Sequence, residues 1–448
     1  MLKAIALFYY YLMELNNKKI INGWCMYDWA NSVYSLVITS AIFPVYYDAV
    51  TTTEGPQGDI VEFFGFHLKN SVLYAWSLSF SFLFVAFILP LLSGIADYAG
   101  KKKLFMKIFM YLGASSCIGL YFFTGKVNIE LAIICSVLAS VGYSSSLVFY
   151  DAFLPEIASA DRMDRVSAKG YSLGYIGSVI LLIVNILTIN QYEIFGFESD
   201  TGAVRFSFLT VGLWWIAFSQ FTFLRLPDNV FKRKSDKGWL TGGYKELKKV
   251  WGSLGDQKVL KRFLWAYLFY NMGVQTVMYL AATFGSKELK LEGEQLILIV
   301  LIIQLVAIAG AYLFAYISKV KGNKLSLMVM IGIWIVVCLG AYFVTNVGQF
   351  FALAFVVGLV MGGIQSLSRS TYAKLIPENS IDHTSYFSFY DVTFNISIVF
   401  GTLAYGAIEQ ITGSMRNSTL ALMLFFIIGM IFLSTVKLPH LNRTREKR

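Results

Sequence analysis

Charged residues are scarce in this sequence: Asp, Glu, Lys and Arg together make up only 14% of its 448 residues. Its three histidines and four cysteines show neither a metal-ligand pattern nor a CxxC pair. The sequence also lacks HExxH and the phosphate-binding GxxxxGKS/T motif. We therefore predict no metal site and no cofactor, and nothing here supports a membrane-embedded enzyme or an ATP-driven pump. The isolated cysteines are expected to be buried and unpaired.

Long apolar runs are the most prominent feature of the sequence. Hydrophobic residues make up 57% of the chain and the mean hydropathy is +0.62, which is typical of an integral membrane protein. A helix needs roughly 20 apolar residues to cross the hydrocarbon core, and about twelve runs reach that length. They lie near residues 24–47, 71–93, 104–124, 129–151, 168–190, 206–225, 261–284, 294–317, 325–345, 348–372, 386–410 and 417–436. The predicted fold is an all-α membrane bundle of twelve transmembrane helices.

Positive charge is distributed unevenly among the loops. The net charge is +10, and Lys and Arg concentrate in alternate loops, including residues 101–103, 232–261 and 443–448. By the positive-inside rule these loops face the cytoplasm, so both termini are cytoplasmic. Because topology explains the basic excess, we expect no nucleic-acid partner.

The second half of the chain resembles the first at an offset of 222 residues. GKK at 100–102 aligns with GNK at 322–324, and YDAFLPE at 150–156 aligns with YAKLIPE at 372–378. Transporters are often built from such internal repeats. We predict a cytoplasmic extension at 1–23, six-helix bundles at 24–225 and 261–436, a basic linker at 226–260 and a basic tail at 437–448.

The linker has apolar residues at every third or fourth position, with lysines between them. They are Leu240, Tyr244, Leu247, Trp251 and Leu254. This spacing predicts an amphipathic helix. The helix either lies on an anionic membrane surface or packs against the cytoplasmic face of the bundle.

The loop between predicted spans 2 and 3 reads SGIADYAGKK at residues 93–102. It resembles Gly-x-x-x-Asp-Arg-x-Gly-Arg-Arg, which joins the same two spans in the major facilitator superfamily. The matches are Asp97, Gly100, Lys101 and Lys102, whereas Ser93 and Tyr98 depart from the pattern. A carboxylate at the membrane edge can accept hydrogen bonds from a neighbouring helix end and release them when two bundles move. We predict such a conformational role for Asp97; the alternative is an ordinary solvated turn.

Further motifs resemble the vacuolar effluxer family, a branch of this superfamily with fungal and bacterial members. They are YDWANS with FPVYY, ADYAGKK, AFLPE, KGYSLGYIG and GGIQSLSRSTYAKLIPE, spread over about residues 20–436. The resemblance implies twelve spans in two pseudo-symmetric six-helix bundles and, from the fungal members, export of amino acids. Two positions depart from the family pattern: Asp151 stands where Asn is expected, and Met272 where Asp is common.

Asp28 lies about one turn inside the cytoplasmic end of span 1, on one helix face with Asn31, Ser32 and Ser35. A carboxylate in the membrane is costly unless it faces a cavity or a partner. Asp28 is therefore a candidate gating or proton-coupling residue, and a structural cap is the alternative.

Arg369 on span 10 is the one clear cation within a predicted span, and Asp28, Asp151 and Asp391 lie at a similar depth. We predict that Arg369 pairs with Asp28 or Asp151 when the cytoplasmic mouth closes, because a guanidinium bridges carboxylates well. The alternative is a bond to Asp391 within the second half. All four are candidate gating or proton-coupling residues.

Polar residues near the middle of the membrane are candidates for substrate contact. In the superfamily, spans 1, 4, 7 and 10 line the cavity. By this analogy the candidates are Asn31, Tyr34, Tyr143, Asn271, Gln275 and Gln365. Amides donate and accept hydrogen bonds, which suits a zwitterion or a sugar equally. The alternative is that they hold helices together.

These features predict a secondary active transporter that moves a small polar solute by alternating access. Amino-acid efflux is the leading expectation through the resemblance, with protons as the candidate coupling ion. The alternatives are a sugar or drug exporter, and a non-transporting sensor or scaffold. We expect a monomer in the lipid bilayer of a bacterial-type inner membrane, with a small molecule as its substrate.

Overall fold

The computed structural model describes residues 15–55, 58–228, 239–377 and 379–437. Apart from the helix Trp239–Asp256 of the linker, twelve long helices follow one another along these residues, and we call them spans 1 to 12. Their bounds are Lys18–Thr51, Asn70–Ala99, Lys102–Gly119, Ile129–Asp151, Met163–Asn190, Asp200–Arg225, Lys258–Leu289, Gly293–Lys321, Asn323–Phe343, Val347–Leu375, His383–Thr412 and Met415–Ser434.

Eleven of the described helices contain a stretch apolar enough to cross a membrane. Span 7 does not, although its 32 residues extend about 48 Å, more than a hydrocarbon core of about 30 Å requires. Two of its polar residues, Asn271 and Gln275, are buried inside the bundle. The low hydropathy of span 7 therefore comes partly from polar groups that it contributes to the interior.

Span 1 is the least regular of the long helices. It is α-helical over Lys18–Val33, π-helical over Tyr34–Ile42 and α-helical again over Phe43–Thr51. Its start at Lys18 is earlier than the predicted start at residue 24, because the Asn17 side chain caps the first turn by accepting from the Lys19 amide. The predicted extension at 1–23 is therefore partly helical, and residues 1–14 lie outside the described residues.

Spans 1–6 and spans 7–12 form two bundles that pack together through spans 2 and 11 and through spans 5 and 8. One end of the molecule, which we call the linker face, carries the short helix Leu154–Ile157 and the helix Trp239–Asp256. The other end, the hairpin face, carries strands β1 (Ile60–Phe63) and β2 (Phe66–Lys69). These strands are antiparallel, with Ile60 opposite Lys69.

The two landmarks of the sequence repeat occupy equivalent places. Gly100 ends span 2 at φ 63° and Gly322 ends span 8 at φ 88°, a region that strongly favours glycine. Tyr150 and Tyr372 are fully buried in the last turns of spans 4 and 10. Glu378, the last residue of the second motif, lies outside the described residues.

The linker forms a helix over Trp239–Asp256, the linker helix. It packs mainly on span 2 and also touches spans 7 and 11, as the second of the two sequence alternatives predicts. Tyr244 and Trp251 of the predicted apolar set nevertheless stay largely exposed. A Cβ on Gly243 would stand 2.7 Å from the backbone nitrogen of Ile95, so this contact requires glycine. The side chains of Leu240 and Leu254, residues 229–238 and the tail at 438–448 lie outside the described part of the chain.

The four cysteines, Cys25, Cys117, Cys135 and Cys338, are free and buried, as the sequence predicts.

Candidate functional site

Arg369 lies between the bundles and is only 1% exposed. Its Nη1 donates to Asp151 Oδ1 and its Nη2 donates to Asp28 Oδ2, each at 3.1 Å. Its Nε donates to Ser167 Oγ at 2.9 Å, and Nη2 also donates to the Ser167 carbonyl at 3.1 Å. All four bonds cross from the second bundle to the first. Arg369 thus ties span 10 to spans 1, 4 and 5.

The sequence left the carboxylate partner of Arg369 open, and the structure places both Asp28 and Asp151 on it. The alternative bond to Asp391 is not formed. Asp391 is 6% exposed, and its Oδ2 has no hydrogen-bond partner among the described residues. It lies close enough to Asp151 and Arg369 to interact with both electrostatically. One guanidinium therefore serves two carboxylates while a third stands beside them; their gating and coupling roles stay predictions.

Aromatic rings enclose the guanidinium group. The Arg369 Cζ lies 4.7 Å from the Trp24 ring, 5.5 Å from the Tyr150 ring and 4.2 Å from the Tyr171 ring. The Tyr150 hydroxyl also donates to Asp28 Oδ2 at 2.8 Å. Aromatic faces attract cations most strongly where water is absent. The rings thus stabilise the charge of Arg369 and fix the Asp28 carboxylate in place.

Gly170 on span 5 allows this close approach. A Cβ at Gly170 would overlap the Asp28 carboxylate and would lie 3.1 Å from Arg369 Nη2. One turn later, a Cβ at Gly174 would overlap the Ser32 hydroxyl on span 1. Both glycines belong to the KGYSLGYIG motif at 169–177, and steric contact explains why larger residues do not fit there.

A second polar cluster joins the bundles around Asp164, at the start of span 5. Asp164 accepts hydrogen bonds from Ser318 Oγ at 2.8 Å, Asn323 Nδ2 at 2.9 Å and Ser370 Oγ at 2.7 Å. It also forms an ion pair with Lys374 at 2.6 Å. All these partners belong to spans 8, 9 and 10, so Asp164 holds the second bundle against the first.

A third cluster closes the linker face at Asp97, near the end of span 2. Asp97 accepts from the backbone amides of Thr384 at 3.3 Å and Ser385 at 2.6 Å, in the first turn of span 11. This is the helix-end contact that the sequence predicts, and the conformational role of Asp97 stays a prediction. Nearby, Glu156 forms an ion pair with Lys102 and lies 2.9 Å from His383 Nδ1. In this conformation, polar contacts between the bundles close the linker face.

Three of the predicted substrate contacts line one small cavity of about 10 Å³ between the bundles: Asn271, Gln275 and Gln365. Gln275 Nε2 donates to Asn271 Oδ1 at 3.1 Å, and the Tyr175 hydroxyl of the first bundle donates to Gln365 Oε1 at 2.7 Å. The rest of the lining consists of Tyr171, Tyr267, Tyr270, Ile364, Ser368, Tyr390 and Phe394. Such a volume holds about one water molecule. A solute can therefore enter only when the bundles move apart.

The other three candidates, Asn31, Tyr34 and Tyr143, lie in the first bundle and do not line this cavity. The Tyr34 ring packs 4.9 Å from the Tyr143 ring and 5.9 Å from Trp215. Asn31 is 1% exposed, and its Nδ2 has no hydrogen-bond partner among the described residues. The structure thus divides the six candidates into two groups, and contact with substrate stays a prediction for each.

A larger cavity of about 70 Å³ lies within the second bundle. Its walls include Leu280, Val337, Phe350 and Leu422, and all its lining residues belong to spans 7 to 12. A site reached from alternate sides of the membrane must lie between the two bundles. We therefore place the candidate site at the smaller, polar cavity.

Sequence reasoning missed the tyrosines of the cavity and the partners of Asp164. A signal for the tyrosines was present, because Tyr270 and Asn271 lie three and four residues after Tyr267, on the same side of span 7. Asp164 gave no such signal, because it stands between Arg162 and Arg165 in what reads as a solvated loop.

The family model described as vacuole effluxer Atg22 like matches residues 16–446. This chain belongs to the Atg22-like vacuole effluxer family. An uncharacterized MFS-type transporter of Bacillus subtilis, YxiO, is 32% identical to it over 420 residues, covering 93% of this chain and 94% of YxiO. Autophagy-related protein 22 of Kluyveromyces lactis is 23% identical over 465 residues, covering 92% of each protein.

Solved structures of major facilitator transporters share the fold of this Atg22-like protein. FucP in its outward conformation matches with a TM-score of 0.67 at 12% identity, over 94% of this chain and 98% of FucP. The proton:xylose symporter XylE, bound to 6-bromo-6-deoxy-D-glucose, matches with a TM-score of 0.68 at 14% identity, over 94% and 95%. The predicted fold of two six-helix bundles is confirmed. The Atg22-like chain is a multi-pass membrane transporter of the major facilitator type, and its relatives are transporters rather than enzymes.

Proposed function

We propose that this protein exports small polar solutes, with amino acids as the leading class, by alternating access. The proposal rests on the contact between the small polar cavity and the Arg369 bridge, by which we mean the ion pairs of Arg369 with Asp28 and Asp151. The Tyr171 ring lies 4.2 Å from the Arg369 guanidinium and also lines the small polar cavity. Movement of the bridge would therefore move a wall of the cavity, which links opening at the linker face to the candidate solute site.

The chemistry of the cavity favours a solute with no net charge. Its described lining contains amides, hydroxyls and apolar groups but no ionisable side chain apart from tyrosine. Asn271, Gln275 and Gln365 can each donate and accept, so they suit both ends of a zwitterion. The resemblance to vacuolar effluxers favours amino acids over the alternative, a sugar or drug. The basic loops favour a cytoplasmic linker face and cytoplasmic termini in a bacterial-type inner membrane.

The solute is tested by counterflow in proteoliposomes with a mixed panel of radiolabelled amino acids and sugars. We expect counterflow of at least one amino acid. Loss of the Gln365 amide in Gln365→Ala should raise the half-saturating concentration about tenfold, because a buried hydrogen bond to the solute is lost. Gln220→Ala is the matched control, since Gln220 lies on span 6 and bonds to the Ile216 carbonyl instead. Counterflow of sugars alone would support the sugar alternative, and a folded protein without flux would support the sensor or scaffold.

We further infer that protons drive this export. If Asp28, Asp151 and Arg369 are all ionised and Asp391 is protonated, the buried group carries one excess negative charge, and one further bound proton neutralises it. In Asp28→Asn we expect accumulation driven by a pH gradient to be lost while counterflow survives. Asp48→Asn, an exposed acid of the same span, is the control. Equal accumulation by wild type and Asp28→Asn would assign Asp28 a structural role and contradict coupling at that residue.

A further inference from the structure

The linker helix lies at the level where the spans leave the membrane core. Its Gly243 packs against Gly94 and Ile95, just over one turn before the end of span 2. Its Ser253 Oγ lies 2.9 Å from the hydroxyl of Tyr386, in the first turn of span 11. One helical turn rises about 5.4 Å. The linker helix therefore lies alongside the ends of spans 2 and 11, where lipid headgroups are expected.

One side of the linker helix packs against the two bundles. Val250 is 2% exposed in the core, and Gly243 is in backbone contact with span 2. Lys249 donates to Asp382 Oδ2 at 2.9 Å, before the start of span 11, and to Glu246 on its own helix at 2.8 Å. The hydrogen bonds to Glu246 and Asp382 raise the pKa of Lys249, so this lysine stays charged and bound. The helix thus touches both bundles at the linker face.

A flanking side, about 100° round the helix from Gly243, carries aromatic and basic residues. Its Trp251 ring also packs against Phe389 of span 11, with the ring centroids 5.4 Å apart. Tyr244 is 59% exposed and Trp251 is 67% exposed. Lys245 and Lys248 between them are exposed as well. Tyr244, Lys248 and Trp251 are spaced four and three residues apart and so form one stripe along the helix. Exposed large aromatic residues beside lysines are typical of the membrane interface, where the rings lie among the headgroups.

We propose that this stripe, with Lys245 at its edge, binds the headgroups of anionic phospholipids. The two ammonium groups complement the lipid phosphates, and the two rings enter the interfacial layer. The inference goes beyond transport itself, because it assigns a lipid-binding surface outside the solute site. Lipid bound there acts on a helix that holds span 2 of one bundle and span 11 of the other, so it would stabilise the closed linker face.

Fluorescence of the full-length protein in nanodiscs tests this surface. The discs contain phosphatidylcholine with an increasing fraction of brominated phosphatidylglycerol, which quenches nearby tryptophan. The signal of Trp251 is the difference between wild type and Trp251→Phe. We expect that signal to be quenched saturably by the anionic lipid, and more weakly by the same fraction of brominated phosphatidylcholine.

Charge variants separate the headgroup interaction from simple proximity to lipid. The double variant K245Q/K248Q should raise the half-saturating fraction of anionic lipid about tenfold or prevent saturation. The reason is that each lysine near an anionic membrane surface strengthens binding to that surface. The matched control is K319Q/K321Q, which removes two exposed lysines at the end of span 8 on the same face. It should leave the curve unchanged.

Three results would overturn the proposal. Equal quenching by brominated phosphatidylcholine and phosphatidylglycerol would show that the stripe contacts lipid without recognising its charge. Absence of quenching would show that Trp251 faces water and would leave the stripe to a protein partner. Equal shifts from both lysine pairs would assign the effect to the overall charge of the face. None of these readouts depends on transport.

Discussion

Replacing Arg369 with Gln is expected to abolish transport and to destabilise the protein more than any surface substitution. The change leaves Asp28 and Asp151, which are 4% and 5% exposed, without their shared counter-charge. Removing one partner of a buried ion pair typically costs about 3–5 kcal/mol, because the remaining charge is buried and unpaired. Thermal unfolding of the purified protein and counterflow in proteoliposomes measure the two effects.

Further substitutions identify the cause of that loss. Arg369→Lys keeps the charge but cannot reach two carboxylates in one plane, so intermediate stability and low flux are expected. Adding Asp28→Asn and Asp151→Asn to Arg369→Gln removes the unpaired charges and should recover part of the stability without recovering transport. A triple variant no more stable than Arg369→Gln would show that the carboxylates do not cause the loss. Exchanging Arg369 with Asp28, or with Asp151, should restore some of the transport that Arg369→Gln loses. If neither exchange does, ion pairing between these positions does not explain the loss of transport.

The pairing of Arg369 shows what sequence can predict inside a membrane. Position along a span gives depth, and depth correctly placed Arg369 level with Asp28, Asp151 and Asp391. It does not give the rotation of each span about its own axis, because that rotation depends on packing between helices. The rotation decides which side chains meet, and here two carboxylates bond to Arg369 while Asp391 does not. The same limit explains why Asn271, Gln275 and Gln365 converge on one cavity but Asn31, Tyr34 and Tyr143 do not.

The linker helix shows a related limit outside the spans. Its three- to four-residue period predicts one apolar side, but the period is the same whether that side meets lipid or protein. The deciding feature is Gly243, whose missing side chain lets the helix backbone approach span 2. Glycines inside a helix read as weak positions in sequence, so the role of Gly243 emerges only once span 2 is in place. Motifs shared with a family succeeded where periodicity did not, since they identified the fold before any contact was known.

Gly170→Ala is expected to reduce transport at least about tenfold, although it adds a single methyl group. The new Cβ would overlap the Asp28 carboxylate, which is held by Arg369 and by the Tyr150 hydroxyl. The carboxylate must move and lose these bonds, or span 5 must shift away from span 1; overpacking of this kind costs about 1–3 kcal/mol. Thermal unfolding and counterflow again provide the measurements.

Gly406→Ala is the matched control for that prediction, because Gly406 lies within span 11 and a Cβ there meets nothing within 4 Å. Alanine favours a helix over glycine by up to about 1 kcal/mol, so this variant should be as stable as wild type or more so, with unchanged flux. The contrast separates steric conflict at the bridge from a general effect of stiffening a span. If Gly170→Ala transports like wild type, the Asp28 carboxylate can leave Arg369 without consequence, and the closing bridge then rests on Asp151 alone.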